Sequence, residues 1–224
     1  MKKAFMYLAA LVFCLAWGSA LPAYAQLGRG DFRLSLDTDI LSVAHVSIDP
    51  DGPGGDQDSM VFGIGPNQLG GSRATMPATP LGLGLGRVIT SKLLVGARIG
   101  LGFDVVSPEG ANDNTKVLAL SLMPGLTWVP MGNRAKLFLD FRPLFQVNRE
   151  KTDNNKSRWI QGGFSTGIGA LIFPASSVSV DLGFFFEGRF GGLKVDNNAG
   201  DDDDRRAHVQ DLRGVVRLGI SLWK

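Results

Sequence analysis

Residues Leu93–Val106 read LLVGARIGLGFDVV. Leu93, Val95, Ala97, Ile99, Leu101, Phe103 and Val105 fall on one side of this stretch, and Arg98, Gly100, Gly102 and Asp104 on the other. A strict period of two marks a strand, because successive side chains leave a pleated backbone on opposite faces. The unbroken apolar row and the row of glycines and opposite charges need two unlike surroundings. The stretch is also longer than the roughly 9–11 residues that a membrane-spanning strand requires.

The same alternation recurs in seven further segments. Residues 32–48 carry Phe32, Leu34, Leu36, Thr38 and Ile40, then Ala44, Val46 and Ile48, and residues 79–89 carry Leu81, Leu83 and Leu85 between glycines. Residues 116–129 carry Leu118, Leu120, Leu122, Leu126 and Trp128, and residues 136–150 carry Leu137, Leu139, Phe141, Phe145 and Val147. Residues 158–173, 178–195 and 211–224 follow with rows such as Ile160, Phe164, Ile168 and Val180, Leu182, Phe184, Phe186. The expected fold is all-β, an eight-stranded antiparallel up-and-down transmembrane β-barrel spanning residues 26–224.

The connections sort by length. Residues 90–92, 131–135 and 174–177 make short turns, whereas polar segments occupy 49–78, 107–115, 151–157 and 196–210. Outer-membrane barrels have short periplasmic turns on one rim and longer external loops on the other. An even strand number then places both chain ends on the short-turn rim.

The rows opposite the apolar ones decide which side faces lipid. They present Arg33, Ser35, Asp37 and Asp39; Arg98 and Asp104; Asp140, Arg142 and Gln146; Asp181, Glu187 and Arg189; and Arg213 with Arg217. Acid and base are balanced, glycine is frequent and lysine scarce, unlike a water-facing surface. Paired arginines and carboxylates among small neighbours suit a narrow interior. Arg33, Asp37, Asp39, Arg98, Asp104, Asp140, Arg142, Asp181, Glu187, Arg189, Arg213 and Arg217 are therefore expected to form an interior charge network. The apolar rows, with Phe32, Trp128 and Phe190 near their ends, match a lipid-facing band with aromatic girdles.

Composition agrees with this. The 224 residues include 30 glycines and one cysteine, Cys14, with a formal net charge of +2. One cysteine excludes a disulfide scaffold and a cysteine-rich zinc site, and the small net charge speaks against nucleic acid as a partner. Lys2 and Lys3, the apolar run 4–17 and Ala23-Tyr24-Ala25 form a secretory leader, with cleavage expected after residue 25. Removing the leader takes away Cys14 and two of the 23 basic residues, which leaves as many basic as acidic ones.

With the leader, the eight segments, the unequal connections and the terminal stretch GVVRLGISLWK at 214–224, the chain resembles the small outer-membrane β-barrel families of Gram-negative bacteria, the opacity-protein-like and OmpA-like transmembrane domains. The resemblance implies a bacterial outer-membrane location and contact with outer-membrane lipids. Such families commonly end in an aromatic residue on the outward row. Here that row ends Leu218, Ile220, Leu222, with Trp223 on the inward one.

Catalytic material is thin, so no enzyme and no cofactor is expected. The histidines are His45, placed on the inward row near Ser42 and Ser47, and His208 in a polar loop. Asp201 to Asp204, followed by Arg205 and Arg206, lacks the glycine and terminal glutamate of an EF-hand loop, so no metal site is expected. Gly63-x-Gly65 and Gly70-Gly71 lack the strand-to-helix context of a phosphate cradle. Met60, Val61, Phe62 and Ile64 make an apolar patch that reads first as a short external hairpin, next as a cover over the barrel mouth, and last as a docking surface. The expected role is structural, or adhesion and surface-complex formation with a protein partner through the external loops. The alternative is a narrow channel or transporter for small hydrophobic molecules.

Overall fold

The computed structural model describes residues 27–50, 55, 57–64, 81–106, 115–131, 135–151, 155–197 and 205–224. The leader, Gly70-Gly71 and the Asp201 to Asp204 run lie outside the described residues, as does the side chain of Asp104.

Nine strands are formed: β1 (Phe32–Pro50), β2 (Gln57–Ile64), β3 (Leu81–Thr90), β4 (Leu93–Val106), β5 (Thr115–Met131), β6 (Ala135–Lys151), β7 (Asn155–Ala175), β8 (Val178–Asn197) and β9 (Arg205–Trp223). β1 and β3 to β9 pair in sequence, all antiparallel, and β1 pairs with β9 to close an eight-membered ring. Along the length of β3 the closed ring leaves no sheet edge, which a hydrocarbon environment demands because no water is present there to satisfy backbone groups. The fold is an eight-stranded up-and-down transmembrane β-barrel.

The ninth strand lies where the sequence reads as a loop with an apolar patch. β2 turns back from β1 and pairs with its upper half, from Leu41↔Ile64 to Ile48↔Gln57. The short β3 pairs only with the lower half, Phe32↔Arg87 to Thr38↔Leu81. Two strands thus share one edge of β1. Met60, Phe62 and Ile64 continue the outward apolar surface above β3, while Val61 points inward.

Between these halves β1 carries a bulge. Asp39 faces Arg217 on β9 but Leu41 faces Val216, so Ile40 is an extra residue. One inserted residue reverses every later side chain. Ala44 and Val46, expected in one row with Phe32, are instead inward and buried, while Leu41 and His45 point outward. Between β5 and β6 the ladder is interrupted without a change of register. The ladder runs from Leu122↔Phe145 to Leu126↔Phe141, with Pro124 and Pro143 opposed in the gap, where each lacks an N–H to donate.

The short-turn rim is tied together by the chain ends. Gly30, at φ 100°, turns the entering segment so that its N–H donates to the Val88 carbonyl at 2.8 Å. The Phe32 N–H donates to the Lys224 carbonyl at 2.6 Å, and the Lys224 N–H returns to Phe32 at 3.0 Å.

Outside, every strand presents large exposed apolar side chains, among them Leu36, Phe62, Phe103, Phe141, Ile168, Phe184 and Leu222. A water-soluble protein does not tolerate a continuous apolar surface of this extent, whereas acyl chains cover it. Phe32 and Trp128 lie towards the short-turn rim and Phe190 towards the other.

Candidate functional site

The interior is the region with candidate chemistry, and it is built in layers. At the short-turn rim Val88, Leu94, Val129, Phe138, Leu171, Phe173 and Trp223 pack into an apolar plug with Phe185 and Val215. Trp223 is inward as its position in the terminal alternation requires; it stacks against Phe173 at 5.7 Å and donates from Nε1 to Ser179 Oγ at 2.9 Å.

Above the plug lies a layer of ion pairs. Arg33 bonds Asp181 at 2.6 Å and Ser221 Oγ at 2.9 Å, and Asp181 also accepts from Ser179 at 2.6 Å and from Ser221. Arg98 holds Asp37 through Nε at 2.8 Å and Nη2 at 2.7 Å. Gly82 gives this pair its room: a Cβ there would lie 2.2 Å from Arg98 Nε and 2.4 Å from Asp37 Oδ1. Arg142 folds onto Asp140, two residues earlier on the same row, at 2.8–2.9 Å.

Arg217 links neighbouring strands. It donates from Nε to Asp39 at 2.7 Å and from Nη2 to Glu187 at 2.9 Å, and its guanidinium lies 4.5 Å from the Phe185 ring centre. Glu187 also accepts from Arg189. Arg213 bonds Asp211 at 2.9 Å, and Arg189 approaches the same carboxylate at 3.6 Å. Among the described residues, the arginines at 33, 98, 142, 189, 213 and 217 thus meet the carboxylates of Asp37, Asp39, Asp140, Asp181, Glu187 and Asp211, one for one. A charge in a narrow interior is tolerated when paired and hydrogen-bonded. Each of these makes an ion pair, while Nε and Nη1 of Arg189 and Arg213 and Oδ1 of Asp211 are buried without a hydrogen bond among the described residues.

Asp211 is fully buried and was not in the set expected from sequence. The signal was present, since Asp211, Arg213 and Arg217 share one alternating row, but the residue stood at the boundary drawn for the last strand. Asp104 lies in β4 on the row that contains Arg98, with its side chain outside the described residues.

A cavity of about 40 Å³ remains at the centre, lined by Arg33, Asp37, Arg98, Asp140, Arg142 and Arg217 among others. At roughly 10–15 Å³ for one water this holds a few molecules. Higher up, Gln146 donates to Asn148 at 2.8 Å and Asn148 to Gln161 at 3.3 Å. Ala44, Val46, Val61, Trp159 and Val209 close an upper apolar layer.

The histidines stand apart from this interior. His45, expected inward, is on the outer face because of the bulge, with Nε2 3.9 Å from Asp58 Oδ1 on β2. Ser42 is inward and buried, so His45 and Ser42 lie on opposite faces and form no catalytic pair. His208, expected in a loop, sits exposed on the outward row of β9. Among the described residues no group of three His, Cys, Asp or Glu side chains is placed to hold a metal ion.

No protein-family model and no curated relative matches the chain. Solved structures do. The outer membrane protein OprG from Pseudomonas aeruginosa is 11% identical with a TM-score of 0.56, over 90% of this chain and 99% of that one. Neisserial surface protein A is 13% identical with a TM-score of 0.44, over 87% and 99%. The outer membrane protease OmpT from Escherichia coli is 10% identical with a TM-score of 0.47, over 92% and 100%. The likeness to OprG is one of fold, that of a small outer-membrane barrel.

Proposed function

We propose that the mature chain, freed of residues 1–25, resides in the bacterial outer membrane as a filled barrel that conducts no ions and acts structurally or through its external segments. The observation that carries this reading is the interior itself: one-for-one ion pairs across the middle, above an apolar plug that seals the short-turn rim. An eight-stranded barrel is just wide enough for side chains to fill. Opening a pore would require separating several of these pairs at once.

The strand lengths support a role for the external side. β7 has 21 residues, and at ~3.3 Å per residue and a tilt near 40° it rises roughly 50 Å, about twice the ~25 Å apolar band. The strand ends at 149–151, 155–158 and 205–210 therefore stand above the apolar band, and the external connections they carry are held on a stiff rim, where a surface protein partner would dock. In planar bilayers the refolded protein should give no steady single-channel openings. Regular discrete openings would overturn the reading.

One observation favours the transport alternative. β2 and β3 divide the edge of β1, and among the described residues β2 pairs only with β1. The inward side chains beside this division, Val61, Ala44 and Val46, are apolar. A small hydrophobic molecule could pass from the external mouth through the wall into lipid there, without crossing the charged layer. Uptake of an apolar fluorophore into proteoliposomes, abolished by a Val61→Asp change, would establish this route, and uptake equal to empty liposomes would exclude it.

A further inference from the structure

Directly above the apolar belt, on the external side, the outward rows become basic. Leu118 on β5, Val147 on β6 and Ile160 on β7 are followed one outward position higher by Lys116, Arg149 and Arg158, all exposed. The register sets these cations against one another. Arg149 on β6 faces Arg158 on β7, so two guanidinium groups stand opposed across neighbouring strands. One step higher Lys116 faces Lys151 and Lys151 faces Lys156, three ammonium groups across β5, β6 and β7.

Directly opposed residues hold their Cβ atoms only about 4.5–5.5 Å apart, and like charges in that position destabilise a sheet. Two such rows on one face form a surface that anions placed between the cations would stabilise. The level of the rows narrows the class of anion. They border the hydrocarbon belt itself, where the headgroups of the outer leaflet lie, and not the tips of the external connections. Guanidinium forks suit tetrahedral phosphate oxygens, which they bind in bidentate fashion.

We propose that the double row on β5 to β7 is a binding site for the phosphates of the phosphorylated glycolipid of the outer leaflet. Arg149 and Arg158 form its centre, and Lys151 and Lys156 a second contact above. The site rests on the outer-membrane reading given above and adds a specific lipid class to it.

The test uses the mature protein refolded in nanodiscs and titrated with purified bisphosphorylated lipid A or with the same lipid after removal of both phosphates, followed by native mass spectrometry and thermal unfolding. The bisphosphorylated form should bind at least about tenfold more tightly, and Arg149→Gln with Arg158→Gln should remove about that factor, as expected for the loss of charge-assisted bonds. Lys151→Gln with Lys156→Gln should weaken binding in the same direction, and serves if the first pair folds poorly. Equal binding of the two lipids, an unchanged affinity in both variants, or tighter binding of a soluble sulfated polysaccharide to the same residues would overturn the proposal. A protein that is folded and lipid-embedded but indifferent to phosphate removes this site alone, whereas a chain that does not enter bilayers removes the outer-membrane reading with it.

Discussion

Replacing Arg217 by Met tests whether the interior pairs are a coupled network. Arg217 is 6% exposed and donates to Asp39 at 2.7 Å and Glu187 at 2.9 Å. Met keeps the packing against Phe185 but removes the charge. Glu187 retains Arg189, whereas Asp39 loses its hydrogen-bonded guanidinium while remaining buried. One uncompensated buried carboxylate costs about 3–5 kcal/mol. Asp39→Asn in the Arg217→Met background removes that stranded charge, so the double change should cost less than the sum of the two single ones by about 2–3 kcal/mol, towards the upper end for residues in contact. The assay is equilibrium urea unfolding of the refolded protein in lipid vesicles, read by tryptophan fluorescence and by the gel mobility difference between boiled and unboiled samples. Additivity within about 0.5 kcal/mol would show two independent, water-screened charges and refute the network.

Other changes probe the remaining layers. Gly163→Ala would place a Cβ 1.9 Å from the Gly188 carbonyl oxygen, whereas Gly162→Ala meets open space on the lipid side; the same unfolding assay should show a loss of at least ~1–3 kcal/mol for the first and a change no worse than neutral for the second. Trp223→Ala removes the contacts to Phe173 and Ser179 at the base and should cost about 3–5 kcal/mol, with no cost beyond ~1 kcal/mol contradicting its place in the plug. Leu122→Arg, midway along the outward row of β5, should cost about 2–4 kcal/mol in vesicles, and Ile160→Arg at the top of the belt ~0–1 kcal/mol. Equal costs at the two depths would mean that the rows do not cross a bilayer as drawn.

The barrel itself was legible because its two faces meet media as different as lipid and a charged lumen, so the period of two survives even where glycine replaces half of one row. The sequence pattern failed where side-chain pattern and backbone register part company. Ile40 is apolar and fits the row it interrupts, so nothing in its chemistry announces a bulge, and His45 was placed on the wrong face. The apolar patch at residues 60–64, read first as a short hairpin, does turn back on β1 as β2; what the pattern did not show is that it shares that edge of β1 with β3. The upper end of β9 was missed for a different reason: residues 205–210 stand above the belt, where the outward row includes His208 and Gln210 and no longer needs to be apolar. Asp211 was lost with that boundary. The ion-pair partners are a matter of shear and register, as in Arg33 with Asp181, 148 residues apart, and a linear pattern does not encode them.

A filled membrane barrel requires that one row meet lipid and that the other be shut off from bulk water. Residues 26–224, which lack Cys14, offer a cysteine-free background for single nitroxide labels. Labels at the outward Leu122, Phe141 and Ile168 and at the inward Ser121, Thr127 and Ser165, in protein embedded in lipid vesicles, can be compared for collision with oxygen and with a water-soluble nickel chelate. The outward set should show high oxygen and low nickel accessibility, and the inward set low accessibility to both. High nickel accessibility on the outward row would mean a water-exposed barrel, and on the inward row an open aqueous pore; either result would contradict a filled membrane barrel.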